Sequence, residues 1–309
     1  MEFWLALIKV VTIVGLIVAG LVILVFGLET STQTTPSIAN LWRHGGFFPN
    51  GWSGFLYAVP VAAFTFAGVE VIGLVAAETA EPQRTLPRAI NSIIWRMAIF
   101  YLGSMAVIMA LYPWNQIDTT QSPFVMVFDS IGLGVAAGFI NFVVITALAS
   151  SCNTGLFATS RMLFALSHIQ QAPRGLQVLS PRKVPARCLM VSTAILLVGV
   201  LLNYMIPERI FSLLITGILG LLIWVWVVII TSHMVYRRKV QRDGLPQVAY
   251  RLPWARLSSV LVLCFLGALT VLVIRDPETR PAFYVATLWF GLLLLLYPKR
   301  RQPAAVLEA

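Results

Sequence analysis

Charge is what this chain has least of. Of its 309 residues, 22 are Lys or Arg and 12 are Asp or Glu, so 11% are charged, against about 25% in an ordinary soluble domain. That scarcity excludes a globular surface facing water on all sides. Cysteine is nearly as rare. Cys152, Cys188 and Cys264 fall in or beside apolar segments with no CxxC spacing, which argues against a disulfide framework or thiolate metal site and for packing residues. The three histidines, His44, His168 and His233, are not grouped for a metal. There is no GxGxxG opening a helix after a strand, no P-loop, no HExxH and no GxSxG, so enzyme chemistry has no visible seat. Nor is there a secretory leader: residues 3–27 run too long for one and lack both a basic start and a small-residue cleavage site.

What the chain has instead is hydrocarbon. Apolar residues make up 59% of it. They gather into eight runs, 3–27, 54–78, 90–112, 133–162, 186–205, 208–235, 255–274 and 281–298. About 20 such residues cross a bilayer core, and continuous runs of this length favour helices. The reading is an all-α integral membrane protein with eight transmembrane helices, several of them long enough to tilt or to extend beyond the bilayer.

The net charge of +10 does not indicate nucleic acid, because of where the basic residues sit. Sixteen lie in the alternate loops 78–89, 161–187, 236–256 and 299–309, against four elsewhere outside the spans, Arg43, Arg209, Arg275 and Arg280. This asymmetry is the positive-inside pattern and predicts cytoplasmic termini. Trp42, Trp52 and Trp114 then mark the outer interface, and Trp4, Trp95 and Trp254 the inner one. Residues 118–132 read as an outer loop carrying a short helix or re-entrant piece.

Few residues in the spans are polar enough to carry chemistry. Glu70, in FTFAGVEVIG (64–73), lies sixteen residues into its run, where an acid costs about 2.5–3.5 kcal/mol on insertion scales. It either ties two helices together or faces a polar cavity. Gly68, two positions before it, either allows close helix packing or lets the helix unwind beside that cavity. Lys9 is shallow enough to snorkel, as is Arg96. Thr146, Ser150, Asn153 and Phe157 share one helix face at spacings of four, three and four, as helix glue or as a pathway lining. Gly134 with Gly138, and Gly217 with Gly220, read as close-packing pairs, and Thr216 is a candidate substrate contact.

Taken together, FTFAGVEVIGLVAAETAEPQRTLPRAI (64–90), EFWLALIKV (2–10), LYPWNQI (111–117) and NFVVITALASSCNTGLFATSRMLFAL (141–166) resemble bacterial amino acid permeases of the amino acid–polyamine–organocation superfamily. The resemblance runs in order through the whole chain. It implies a leucine-transporter-like fold of two inverted five-helix repeats followed by two helices, with the spans here corresponding to helices five to twelve. Residues 3–27 would be the fifth helix, 54–235 the second repeat, 255–298 the two C-terminal helices and 299–309 a cytoplasmic tail, all within one membrane domain. Helices one to four, with the glycine-rich break that captures the substrate carboxylate, have no counterpart, so a separate chain could supply them. A truncated form inactive alone is the companion expectation.

Residue by residue, Phe64 resembles an aromatic gate, and Phe66, Ala67 and Gly68 an unwound stretch whose carbonyls face the substrate amino group. Glu70 resembles a gating and coupling glutamate. Lys9 resembles a lysine that stands in for a sodium ion in proton-coupled relatives, with Ser150 and Asn153 on the helix face opposite. Ala77 departs from a frequent glycine. The resemblance implies proton-driven amino acid import across the bacterial inner membrane, with the lipid bilayer as surroundings, no cofactor and no nucleic-acid partner.

Overall fold

The computed structural model describes residues 2–28, 35–75, 79, 81–117, 122–130, 134–244, 252, 254–277 and 279–296. Glu78, Arg251 and the tail 299–309 lie outside them. Among the described residues the structure is helical, with no strand. The helices are α1 (Glu2–Phe26), α2 (Asn40–Arg43), α3 (Gly51–Phe64), α4 (Val71–Val75), α5 (Pro82–Met97), α6 (Gly103–Leu111), α7 (Pro123–Ser130), α8 (Gly134–His168), α9 (Ala186–Met205), α10 (Pro207–Arg242), α11 (Ala255–Arg275) and α12 (Arg280–Leu296). A π-turn, Ala98–Leu102, joins α5 to α6.

Six described segments are long and apolar enough to span a bilayer: Trp4–Phe26, Pro82–Leu111, Gly138–His168, Ala186–Met205, Leu213–Arg242 and Ala255–Arg275. The other two expected spans are shorter as helices. The run 281–298 is helical over Arg280–Leu296, and the run 54–78 contains two helices separated by a turn at 65–70. Three spans begin earlier or reach further than their apolar runs, because polar flanks continue the helix. Pro82 occupies a first-turn position of α5, where a missing N–H costs nothing. Arg, Lys and Gln, good helix formers, carry α10 to Arg242. All six candidate interfacial tryptophans are exposed. Within 118–132, α7 supplies the short helix, and 118–121 and 131–133 lie outside the described residues.

Backbone contacts divide the chain into two compact units, Met1–Phe55 with Thr79–Gly155, and Leu56–Glu78 with Leu156–Ala309. The core of the first unit joins Leu16 and Ile23 of α1 to Val107, Ile108 and Leu111 of α6, then to Tyr112 and Val127 of α7. Gly20 makes the approach of α1 and α6 possible: a Cβ there would stand 2.1 Å from Val107 Cγ1. The Tyr112 hydroxyl donates to the Met126 carbonyl at 2.9 Å. Buried Asn40 donates to the carbonyls of Thr35 at 3.1 Å and Ala110 at 3.0 Å, and the Ser37 N–H also donates to Ala110, at 3.0 Å.

In the second unit α10 packs against α9, α11 and α12. Its Leu219 and Ile223 meet Leu266, Leu269 and Val273 of α11, Phe283 of α12 and Ala63 of α3. The Trp224 indole donates to Thr287 Oγ1 at 3.0 Å and its ring stacks on Phe290.

Of the two expected glycine pairs, close contact is seen at Gly220 alone, and the surroundings of Gly134 lie outside what the structure describes. A Cβ on Gly220 would stand 2.9 Å from Ala286 Cβ and 3.2 Å from the Phe283 Cα, whereas Gly138 and Gly217 have nothing within 4 Å. The cysteines are free, and only Cys188 is buried; Cys152 and Cys264 are exposed rather than packed.

These distances set up an internally controlled test. Gly220→Ala should destabilise the purified chain by about 1–3 kcal/mol, the usual range for overpacking, because the Phe283 backbone cannot rotate away. Gly217→Ala should be neutral or gain up to about 1 kcal/mol of helix propensity. Thermal unfolding midpoints in detergent read the difference, and equal midpoints would remove the packing role.

Candidate functional site: the interrupted helix at residues 64–70

α3 contains Pro60, which has no N–H to offer, and stops at Phe64. The next amides close tighter, i to i−3 bonds: Thr65 to Ala62 at 3.1 Å, Phe66 to Ala63 at 3.1 Å and Ala67 to Phe64 at 2.9 Å. At Gly68 the backbone ladder ends. Its φ of +95° lies in the left-handed region that favours glycine, and its N–H turns to a side chain. Both carboxylate oxygens of Glu70 accept from it, Oε1 at 3.1 Å and Oε2 at 3.2 Å. Val71, Ile72 and Gly73 then resume bonding to Gly68, Val69 and Glu70, and α4 begins.

Two consequences follow for the backbone. The amide freed by the break is satisfied by an anion, a stronger acceptor than a carbonyl. On the other side of the ledger, the carbonyl oxygens of Thr65 and Ala67 receive no hydrogen bond among the described residues. The interruption therefore presents two open acceptors and one carboxylate within six residues.

The carboxylate is held from a second direction. Trp226, on α10, donates its indole N–H to Glu70 Oε2 at 3.4 Å, across 156 positions of sequence. Trp226 and Phe64 both pack on the α10–α11–α12 core, so one apolar cluster fixes the end of α3 and the donor aimed at Glu70. Glu70 is half-buried, and Phe66, Ala67 and Gly68 are exposed. Trp226 carried no signal in the sequence. It stands among Leu, Ile, Val and Trp residues and looks like any apolar helix filler.

Of the expected site residues, the structure brings Phe64, Phe66, Ala67, Gly68 and Glu70 onto this one turn. Thr216 is on α10, ten residues before Trp226; it is buried, and its hydroxyl donates to its own helix at Leu213. Lys9, on α1, and Ser150 and Asn153, on α8, belong to the other unit. Lys9 is half-buried, Ser150 buried and Asn153 exposed. The helix face through 146, 150, 153 and 157 is thus not uniformly buried. The Thr146 hydroxyl donates to Val143 at 2.8 Å, and the Phe157 ring is covered by Arg161 at 5.2 Å.

Six described helical segments long and apolar enough to cross a bilayer define a multi-pass membrane protein. The chain belongs to the amino acid permease family, whose model matches residues 1–300. It is 41% identical over 297 residues to the amino-acid permease AapA of Bacillus subtilis (strain 168), covering 96% of this chain and 64% of the relative. It is 43% identical over 307 residues to the D-serine/D-alanine/glycine transporter of Escherichia coli (strain K12), covering 97% and 65%. The chain thus spans just under two thirds of the length of these curated relatives. They are transporters, not enzymes. No solved structure matches the chain.

Gly68→Ala tests the backbone reading. A Cβ at Gly68 would meet nothing within 4 Å, so any loss comes from the positive φ and should be about 1–2 kcal/mol. Gly73→Ala, in α4 with equally open space, should show no such loss. Unfolding midpoints in detergent compare the two, and an unchanged Gly68→Ala midpoint would mean the turn does not need glycine.

Proposed function

We propose that this chain carries part of an amino acid transporter that works by alternating access with protons as the coupling ion and without a cofactor. The observation that carries this reading is the break at 65–70, with the open carbonyls of Thr65 and Ala67 beside Glu70. Carbonyl dipoles and a carboxylate suit the ammonium group of an amino acid, and unwound backbone lining a cavity is how membrane transporters build such sites. In this proposal Phe64 gates the site, and Phe66, Ala67, Gly68 and Thr216 bind substrate. Lys9, Glu70, Ser150 and Asn153 serve coupling and gating, the first two as titratable groups. The fold would be eight helices of an inverted-repeat permease in the bacterial inner membrane, with both termini cytoplasmic, as the loop charges favour. The relatives are longer than the matched region. Transport is therefore assigned to the assembled protein, whether the remainder is in the same polypeptide or in a separate chain supplying four further helices; the chain alone would be a non-transporting fragment.

One relative's name supplies the first substrates to try: D-serine, D-alanine and glycine. Proteoliposomes containing the chain together with the unmatched region of AapA should take up labelled substrate saturably, faster with an inward proton gradient. The chain alone should not. Glu70→Gln keeps an oxygen acceptor for Gly68 but removes the charge. It should lower uptake at least about tenfold, the effect of losing charge-assisted bonds worth about 1.5–3 kcal/mol, with membrane insertion unchanged. Wild-type uptake by Glu70→Gln would sink the site, insensitivity to the gradient would sink proton coupling, and uptake by the chain alone would sink the need for a partner segment.

A further inference from the structure

The 64–70 break leaves unexplained a second polar feature of the same unit, at the far end of α10. There α10 and the start of α11 enclose a cleft of about 410 Å³. Arg237, Arg238 and Gln241 line it from α10, with His233 one turn earlier, and Arg256 and Ser259 line it from the first turns of α11. Three guanidinium groups thus share one cleft with no carboxylate in its lining, and none of the three takes part in an ion pair among the described residues.

An arginine cluster alone would be a solvated, positively charged end of a helix pair. The second observation is Ser259. It is 1% exposed, and its hydroxyl is buried with no hydrogen-bond partner. Buried hydroxyls are almost always paired. Most hydroxyls in these helices are paired by bonding a carbonyl of their own helix, as Thr270 bonds Leu266 and Thr231 bonds Val227. Among the described residues Ser259 and Ser192 carry buried hydroxyls without a partner, and of the two only Ser259 belongs to the lining of the cationic cleft. The amides of the first turn of α11 also lack intrahelical partners and carry the positive end of the helix dipole.

Guanidinium forks, a hydroxyl and a helix N-terminus are together the donor set for a phosphate group. The position of the cleft selects the source. It lies where the apolar run of α10 gives way to Arg237, Arg238 and Lys239 and where α11 starts its own span, and such a change from apolar to basic sequence is suited to the headgroup zone. Trp254, 80% exposed, precedes α11, a residue type suited to that zone. We propose that this cleft binds the phosphate of an anionic phospholipid in the leaflet that the basic helix ends face. Basic pockets between membrane helices hold such headgroups, and a bound lipid here would clamp α10 to α11 behind the core that positions Trp226.

Native mass spectrometry of the purified chain in detergent, titrated with phosphatidylglycerol or phosphatidylcholine, tests the site. The expected result is retention of phosphatidylglycerol over phosphatidylcholine. Combined Arg237→Gln, Arg238→Gln and Arg256→Gln should weaken phosphatidylglycerol binding by at least about tenfold, the effect of one lost charged hydrogen bond or more. A charge-matched control, Arg88→Gln with Arg96→Gln and Arg182→Gln, should retain the preference, and Ser259→Ala, which adds no bulk, should weaken it measurably. No lipid preference, or an equal loss in the control, would overturn the proposal. Inorganic phosphate binding to the chain while phosphatidylglycerol does not would overturn the lipid assignment in favour of a free anion.

Discussion

An amide hydrogen inside a bilayer has only protein atoms to bond, and each one left over costs several kcal/mol. A membrane helix can therefore open only where something replaces its own ladder. In this chain the replacement at Gly68 is a carboxylate two residues ahead, accepting with both oxygens and steadied by an indole from α10. Remove the acid and the turn has an orphan donor; remove the glycine and the φ is strained. Charge, break and neighbouring core depend on one another, which is why the acid is best understood as part of the backbone's solution as well as a chemical group.

The same constraint explains why polar side chains in these helices are weaker signals than they look. Thr12, Thr154, Thr231, Thr270 and Thr287 all turn their hydroxyls back onto a carbonyl one turn earlier. Such a bond makes a hydroxyl acceptable to lipid without any partner helix. A row of Ser and Thr at helical spacing therefore does not by itself mark a pathway, as Thr146 illustrates.

Much of the architecture was legible because hydropathy reports the solvent directly. The long spans followed from apolar runs, the interruption from a glycine and an acid where neither belongs, and α7 was one of two readings of the loop 118–132, as a short helix or a re-entrant piece. The ends of α8 and α10 were not, since helix continues into polar sequence where hydropathy falls silent but propensity does not. Trp226 was invisible for another reason: its contact joins residues 156 apart, and nothing local distinguishes it from Trp224. Glycine spacing misled in a similar way. Among the described residues, Gly20 and Gly220 make the closest approaches to a neighbouring helix, and only the three-dimensional register of those helices selects them.

The Ala110 carbonyl, one residue from the end of α6, is shared by the Ser37 amide and the Asn40 side chain. Loops ordinarily absorb inserted residues easily. This one does not have that freedom, because its two donors are three positions apart and converge on a single oxygen. Lengthening the chain between 37 and 40 by even one residue would separate them, so an epitope or reporter is better placed at 45–46, where the backbone is already at positive φ and exposed. The stretch 37–40 is in this sense a measured strap, its length set by the helix end it closes.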